Sequence, residues 1–293
     1  MAIFDSVAEL LSGGEALGLP LWEAVLRASA KECGISAETS WEKMAARLDA
    51  MRQADASYEP GARSRSGLSG GDGEKMRRQY EAGRSISGEF IGEILSGALR
   101  MGECNACMHR IVAAPTAGAC GVIPAVLLPY ARRFGTADGE LIKALYVAAG
   151  FGAVIANRAS ISGAEAGCQA EIGSAAAMAA AALVFLHGGD GAQMANALAI
   201  ALKNMMGLVC DPVAGLVEVP CVKRNAAGAM NALSAAEMAL AGISSRVPPD
   251  EVIDAMRAVG DSMPASLRET GEGGVAASPS AVRFHDDFFG KRG

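Results

Sequence analysis

Aromatic side chains are scarce in this chain. Phe, Trp and Tyr supply 5% of its 293 residues, although 51% of it is hydrophobic. A core of that kind has few bulky anchors and must close through alanine and glycine, which let helix backbones approach one another. Excess positive charge is also lacking. The net charge of −6 and pI near 5.2 exclude the basic face that a nucleic-acid binder needs to neutralise phosphates. No basic stretch precedes an apolar one near the start, where Asp5, Glu9 and Glu15 stand instead of a secretory leader. The longest charge-free apolar run, 172–186, falls short of the roughly 20 residues that span a bilayer. A buried core helix, no membrane partner and a cytoplasmic location are the expectations. Strand patterns are missing too: β-branched runs are short, and no turn dipeptide separates alternating segments. No fixed-period repeat is visible.

What remains is helical. Residues 1–58 read as an N-terminal segment of short amphipathic helices. Trp41, Met44, Ala45, Leu48 and Met51 share one face, and Ser40 is the expected cap. Residues 59–293 read as a second, larger unit that opens on a Gly- and Ser-rich loop, 59–73, whose amides and arginines suit an anion. Further helices are expected over 86–101, from about Val122, over 138–156 with a break near Gly150 and Gly152, and over 171–187. Others are expected from Asp190 to Gly207, over 225–242 and over 249–260. Pro249 suits a first helical turn. The tail from about Gly271 reads as mobile, or ordered only against a partner. The fold class is all-α, a compact bundle of Ala/Gly-rich helices.

Seven cysteines, an odd number without a secretory leader, point to free thiols or metal ligands rather than a disulfide framework. Cys168, Cys210 and Cys221 each stand beside a residue that breaks regular structure: Gly167, Pro212 and Pro220. Their spacing matches neither paired zinc motifs nor a ferredoxin run. It leaves two readings open, a three-thiolate site assembled from separate loops or inert thiols packed as small hydrophobes. Cys104-Asn-Ala-Cys107-Met-His109 has a C-x-x-C pair beside a histidine, but no second pair follows. Cys104 and Cys107 are expected to be free thiols without a role.

The strings Ala114-Pro-Thr-Ala-Gly118, Ser160-Ile-Ser-Gly-Ala-Glu165, Gly207-Leu-Val-Cys-Asp-Pro and Val219-Pro-Cys-Val-Lys-Arg-Asn225 carry a resemblance. They look like the alpha subunit of bacterial iron–sulfur L-serine dehydratases. The likeness extends from Arg63-Ser-Arg-Ser-Gly-Leu-Ser-Gly-Gly-Asp72 to Leu267-Arg-Glu-Thr270. It implies loops that hold a [4Fe–4S] cluster on Cys168, Cys210 and Cys221, and conversion of L-serine to pyruvate and ammonia. Three thiolates would leave one iron open to polarise a substrate oxygen as a Lewis acid. None of the seven lysines lies in the Ser-x-Lys-x-Arg-Gly setting of the pyridoxal-dependent serine dehydratases.

The loop before Val122 has small residues and free amides, which favour anions, and Thr116 adds a hydroxyl. Thr116, Ala117 and Gly118 are therefore expected to line the serine pocket, with Ser160, Ser162, Lys223, Arg224 and Asn225. Glu165, Gln169, Asn204 and Asp211 are further polar neighbours of the cysteines. Lys223 and Arg224 could bind the substrate carboxylate or form internal ion pairs with Glu165 or Asp211. The base is unknown. His109, His187 and His285 read as structural, Lys223 is a candidate, and the Ser-Ser-His stretch of single-chain relatives is absent. The resemblance thus implies a beta subunit as partner, and possible higher oligomers. Competing readings are a related iron–sulfur lyase acting on L-cysteine and a noncatalytic helical interaction protein.

Overall fold

Alanine placed on every face makes a helix that has to be surrounded. The segment Ser174–Leu186 is such a helix, with each residue from Ser174 to Val184 buried. In this computed structural model, which describes residues 4–290, the helices run α1 (Val7–Ala16), α2 (Leu21–Glu32), α3 (Ala37–Ala56), α4 (Asp72–Glu81) and α5 (Gly88–Ala106). They continue as α6 (Val122–Phe134), α7 (Asp138–Arg158), α8 (Gly163–Ala166), α9 (Ser174–Leu186), α10 (Gly191–Met205) and α11 (Cys221–Leu240). The last two are α12 (Pro249–Ser262) and α13 (Pro279–Phe289). The fold is all-α, with no strand among the described residues. α9 is enclosed by α6, α7, α10 and α11, while α1, α2 and α3 cover the far side of α7.

By length and composition alone, Asp138–Arg158 and the continuous segment Gln169–Leu186 could each cross a membrane. Most of each is buried inside this bundle, as core helices are. Both tryptophans are used where the N-terminal helices dock. Trp41 stacks on Tyr146 with ring centroids 6.4 Å apart, and Trp22 meets Trp41 edge-on at 6.0 Å.

Several helix ends follow local chemistry. Asp190 and Gln193 form a reciprocal capping box on α10, and Pro249 sits in the first turn of α12. Three expectations need correction. Ser36, not Ser40, caps α3 by accepting from the Thr39 amide at 3.1 Å. Ser40 is buried one turn later, with its hydroxyl 2.8 Å from that of Tyr146. α7 runs without a break through Gly150 and Gly152. Those glycines are there for room: a Cβ would lie 2.6 Å from Val25 at Gly150 and 2.8 Å from Met178 at Gly152. α11 also starts four residues earlier than expected, so Cys221 is its first residue rather than part of the preceding loop.

The tail folds onto the loop after Cys210. Its α13 packs against the short 3-10 turn Val213–Gly215, and the Val275 amide donates to Asp211 at 2.7 Å.

Candidate functional site

Four chain segments converge beside the N-terminal end of α9. The first is a π-helical turn, Gln169–Gly173, immediately preceded by Cys168. Such turns insert an extra residue into a helix and recur at functional sites. The second is the loop around Cys210, held by a short parallel bridge. The Cys210 amide donates to Leu267 at 2.8 Å, and its carbonyl accepts from the Glu269 amide at 2.7 Å. The third is the first turn of α11, with Cys221. The fourth is the Ala114–Gly118 loop, tied to α11 by Asn225, whose amide group donates to Gly118 at 2.7 Å and accepts from Gly121 at 2.8 Å.

The donor atoms of Cys168, Cys210 and Glu171 all lie within 4.8 Å of one another. All three candidate cysteines are buried, at 2%, 2% and 7% exposure for Cys168, Cys210 and Cys221, so exposure does not separate them. Cys221 stands outside that tight group but close enough to feel the charge of Cys168. Glu171 was not among the residues singled out from the sequence. The readable clue was spacing: Cys168 and Glu171 are three apart, which puts both on one side of a helical turn.

The electrostatics favour one thiolate in the tight group. The Cys210 thiol, followed by the Arg224 guanidinium, holds Cys168 below its ordinary value despite burial. Cys210, as the donor to Cys168 and itself buried, is pushed up. Burial raises Cys221 to about 12 and also raises the Glu171 carboxyl. The Thr116 hydroxyl lies beside Glu171 but is buried without a hydrogen-bond partner.

Arg224 and Lys223 both have internal carboxylates. Arg224 donates to Asp211 Oδ1 and to the Val209 carbonyl, each at 2.8 Å, in a buried pair. Lys223 reaches Asp72 at 3.0 Å near the surface. Ser160 donates to Glu165 at 2.6 Å and accepts from the Ser162 amide at 3.0 Å. Ser160 and Glu165 line an open cavity of about 480 Å³ with Arg257, Arg268 and Thr270. Gln169 braces the π turn by donating to Met256 and accepting from Gly207, while Asn204 bonds Asn231 between α10 and α11.

The 59–73 loop already has an anion of its own. The Asp72 and Gly73 amides at the start of α4 donate to the buried Glu103 carboxylate at 2.7 and 3.2 Å, and Tyr58 donates to it at 2.6 Å. Sequence reading missed Glu103. The histidines sit elsewhere: His187 against Tyr130, His285 against Asp286, and His109 in a small pocket with Cys104 and Cys107.

Comparison with known proteins gives this arrangement its context. Residues 16–276 match the family model described as the serine dehydratase alpha chain. The chain belongs to that family. It is 51% identical over 253 residues to the probable L-serine dehydratase alpha chain of Bacillus subtilis, covering 86% of this chain and 84% of that one. It is 47% identical over 215 residues to the L-serine dehydratase alpha chain of Peptoniphilus asaccharolyticus, covering 72% and 74%. Against Escherichia coli L-serine dehydratase TdcG the identity is also 47%, over 69% of this chain but 45% of that longer protein. The family's segment here contains all three candidate cysteines and Glu171.

The donor set also fits an iron–sulfur group. Cys168 and Cys221 are both buried within reach of the Arg224 charge, and Cys210 lies against Cys168. Gly163 keeps the space next to them free of side chain, since a Cβ there would lie 3.0 Å from Cys210 Sγ and 2.6 Å from Glu171 Oε2.

Proposed function

We propose that this chain is the cluster-bearing subunit of an L-serine ammonia-lyase, which dehydrates and deaminates L-serine to pyruvate and ammonia in the cytoplasm. The observation that carries the reading is the match over residues 16–276 to the serine dehydratase alpha chain, at about half identity to an alpha chain of nearly the same extent. Cys168, Cys210 and Cys221 would hold a [4Fe–4S] cluster. When bound through three thiolates, such a group supplies an open Lewis-acidic iron for a poor leaving group such as the serine hydroxyl.

The chain's own residues do the positioning. Arg224 offsets the charge of Cys168 and, through Asp211 and the Val209 carbonyl, fixes the Cys210 loop. Asn225 ties the Ala114–Gly118 loop to α11, so that Thr116, Ala117 and Gly118 face the thiols across Glu171. The unpartnered Thr116 hydroxyl is the donor we assign to substrate. Ser160 and Ser162 are assigned to the wall towards the open cavity. Arg224 and Asn225 then act on the substrate by holding this wall in place, and Lys223 stays a candidate for the carboxylate if its surface pair with Asp72 opens.

Removal of the Cα proton needs a base, and the three histidines have other settings. The TdcG match, which takes in less than half of that protein, supports a division of labour in which a beta subunit brings the missing group. General acid–base help is typically worth 10²–10⁴-fold. The test is pyruvate formation by anaerobically reconstituted protein, alone and with a beta subunit, beside sulfide release from L-cysteine. We expect little turnover alone, restoration by the partner, and serine preferred. Full activity of the lone chain would overturn the division of labour, and sulfide outrunning pyruvate would make the enzyme a cysteine lyase.

A further inference from the structure

The Glu171 carboxyl has no ordinary reason to be where it is. It is half-buried, and no Lys, Arg or His pairs with it among the described residues. The Cys210 thiol faces it at 3.9 Å, and the Thr116 hydroxyl lies beside it. An unpaired carboxylate held away from water is expensive unless a cation meets it. The surrounding chain nevertheless makes space for it. A Cβ at Gly163 would come within 2.6 Å of Oε2, and one at Gly118 within 3.4 Å of Oε1. The backbone also fixes its register: Glu171 occupies the middle of the π turn and shares a side with Cys168, putting its oxygen in one donor group with two thiols.

We propose that Glu171 is a fourth protein ligand of the iron–sulfur site, an oxygen donor to the iron that the three cysteines leave open, held in the resting protein and given up to substrate. The proposal rests on the reading of Cys168, Cys210 and Cys221 as cluster ligands. Oxygen suits the task better than sulfur would. A fourth thiolate fills a cluster for electron transfer, whereas a carboxylate is a harder, more exchangeable donor that still protects the iron between turnovers.

The test compares wild type with Glu171→Gln, Glu171→Asp and Glu171→Cys, each reconstituted anaerobically with iron and sulfide. Iron per chain, the rate of iron extraction by a chelator, and the electron paramagnetic resonance spectrum after brief oxidation are measured without substrate. Glu171→Gln should lose one iron roughly tenfold faster or more, leaving a three-iron signal, and Glu171→Asp should fall between it and wild type. Glu171→Cys should hold its iron more tightly than wild type. Identical extraction and spectra for iron-loaded wild type and Glu171→Gln would overturn the role of Glu171 alone. If Glu171→Gln assembles poorly, Glu171→Cys decides. Extraction slower than in wild type supports a side chain that reaches the iron, and behaviour like Glu171→Gln overturns it. A wild type that takes up no iron overturns this proposal together with the cluster reading.

Discussion

Two groups of cysteines lie in this molecule at nearly equal depth. Cys168, Cys210 and Cys221 are 2–7% exposed, while Cys104 and Cys120 are 2% and 1%. Their surroundings differ completely. Cys104 sits in α5 and Cys120 two residues before α6, where each thiol points at a backbone carbonyl, Ala54 and Met101 respectively, at 3.6 Å. Burial pushes them to about 11 and about 12. The other three stand where the chain changes course, and Arg224 and Glu171 reach in among them. Burial alone therefore says little about a thiol. A charged group brought in beside it says much more.

Serine substitution should break that contrast most sharply. Cys168→Ser, Cys210→Ser or Cys221→Ser is expected to abolish iron loading and serine turnover, read by iron content and pyruvate formation. Cys104→Ser and Cys120→Ser should keep both. If iron loading fails equally in the two groups, the contrast is false.

Next in size is the buried ion pair behind the site. Arg224→Gln leaves Asp211, 3% exposed at its side chain, without its cation. Breaking one side of a buried pair typically costs 3–5 kcal/mol. Thermal unfolding should show a large fall in Tm, with weakened iron loading as the Cys168 thiolate loses its counter-charge. Asp211→Asn should destabilise as well, because the Val275 amide also depends on that carboxylate.

A smaller effect is expected at the packed thiols. Cys120→Ala removes a buried sulfur from the core, at about 1 kcal/mol by the range for losing a methyl-sized group, with activity retained. Cys33, which is exposed, should tolerate serine with no measurable change in Tm.

The smallest is a background of acid sensitivity away from the cysteines. The Arg77 and Arg78 guanidinium groups hold Glu74 down at about 2 from 4.5, and Asp72 and Asp138 are lowered by Lys75 and Arg52. Because the folded values are depressed, this stability is present in full above about 4.5 and fades as pH falls towards 2. Tm followed from pH 6 to pH 3 should decline, and Glu74→Gln should remove part of the slope. An unchanged slope would place the acid-sensitive contacts elsewhere.

Much of this was legible in the sequence where local chemistry decides. The 3.6-residue pattern at Trp41–Met51, the Asp190 cap and Pro249 marked helices that form as read. Legibility fell where packing between distant segments decides. Gly150 and Gly152 looked like breaks because the side chains of Val25 and Met178 that need their space lie on other helices. Ser36 and Ser40 are both plausible caps, and only the partner Tyr146 accounts for the second. Glu103 and Glu171 escaped notice for a related reason. A single acid in an apolar stretch gains meaning only when α4's amides or Cys210's thiol arrive from elsewhere. Arg224 was legible as a residue beside the cysteines, and its pairing with Asp211 was one of the two alternatives open in the sequence.

The most direct test of the cluster reading is the anaerobic visible spectrum and iron and sulfide content of the reconstituted chain, taken before and after adding L-serine. The account predicts a brown protein with about four irons and four sulfides per chain, a spectrum that shifts with serine, and bleaching in air. A colourless chain without bound iron that still forms pyruvate with its beta subunit would contradict it.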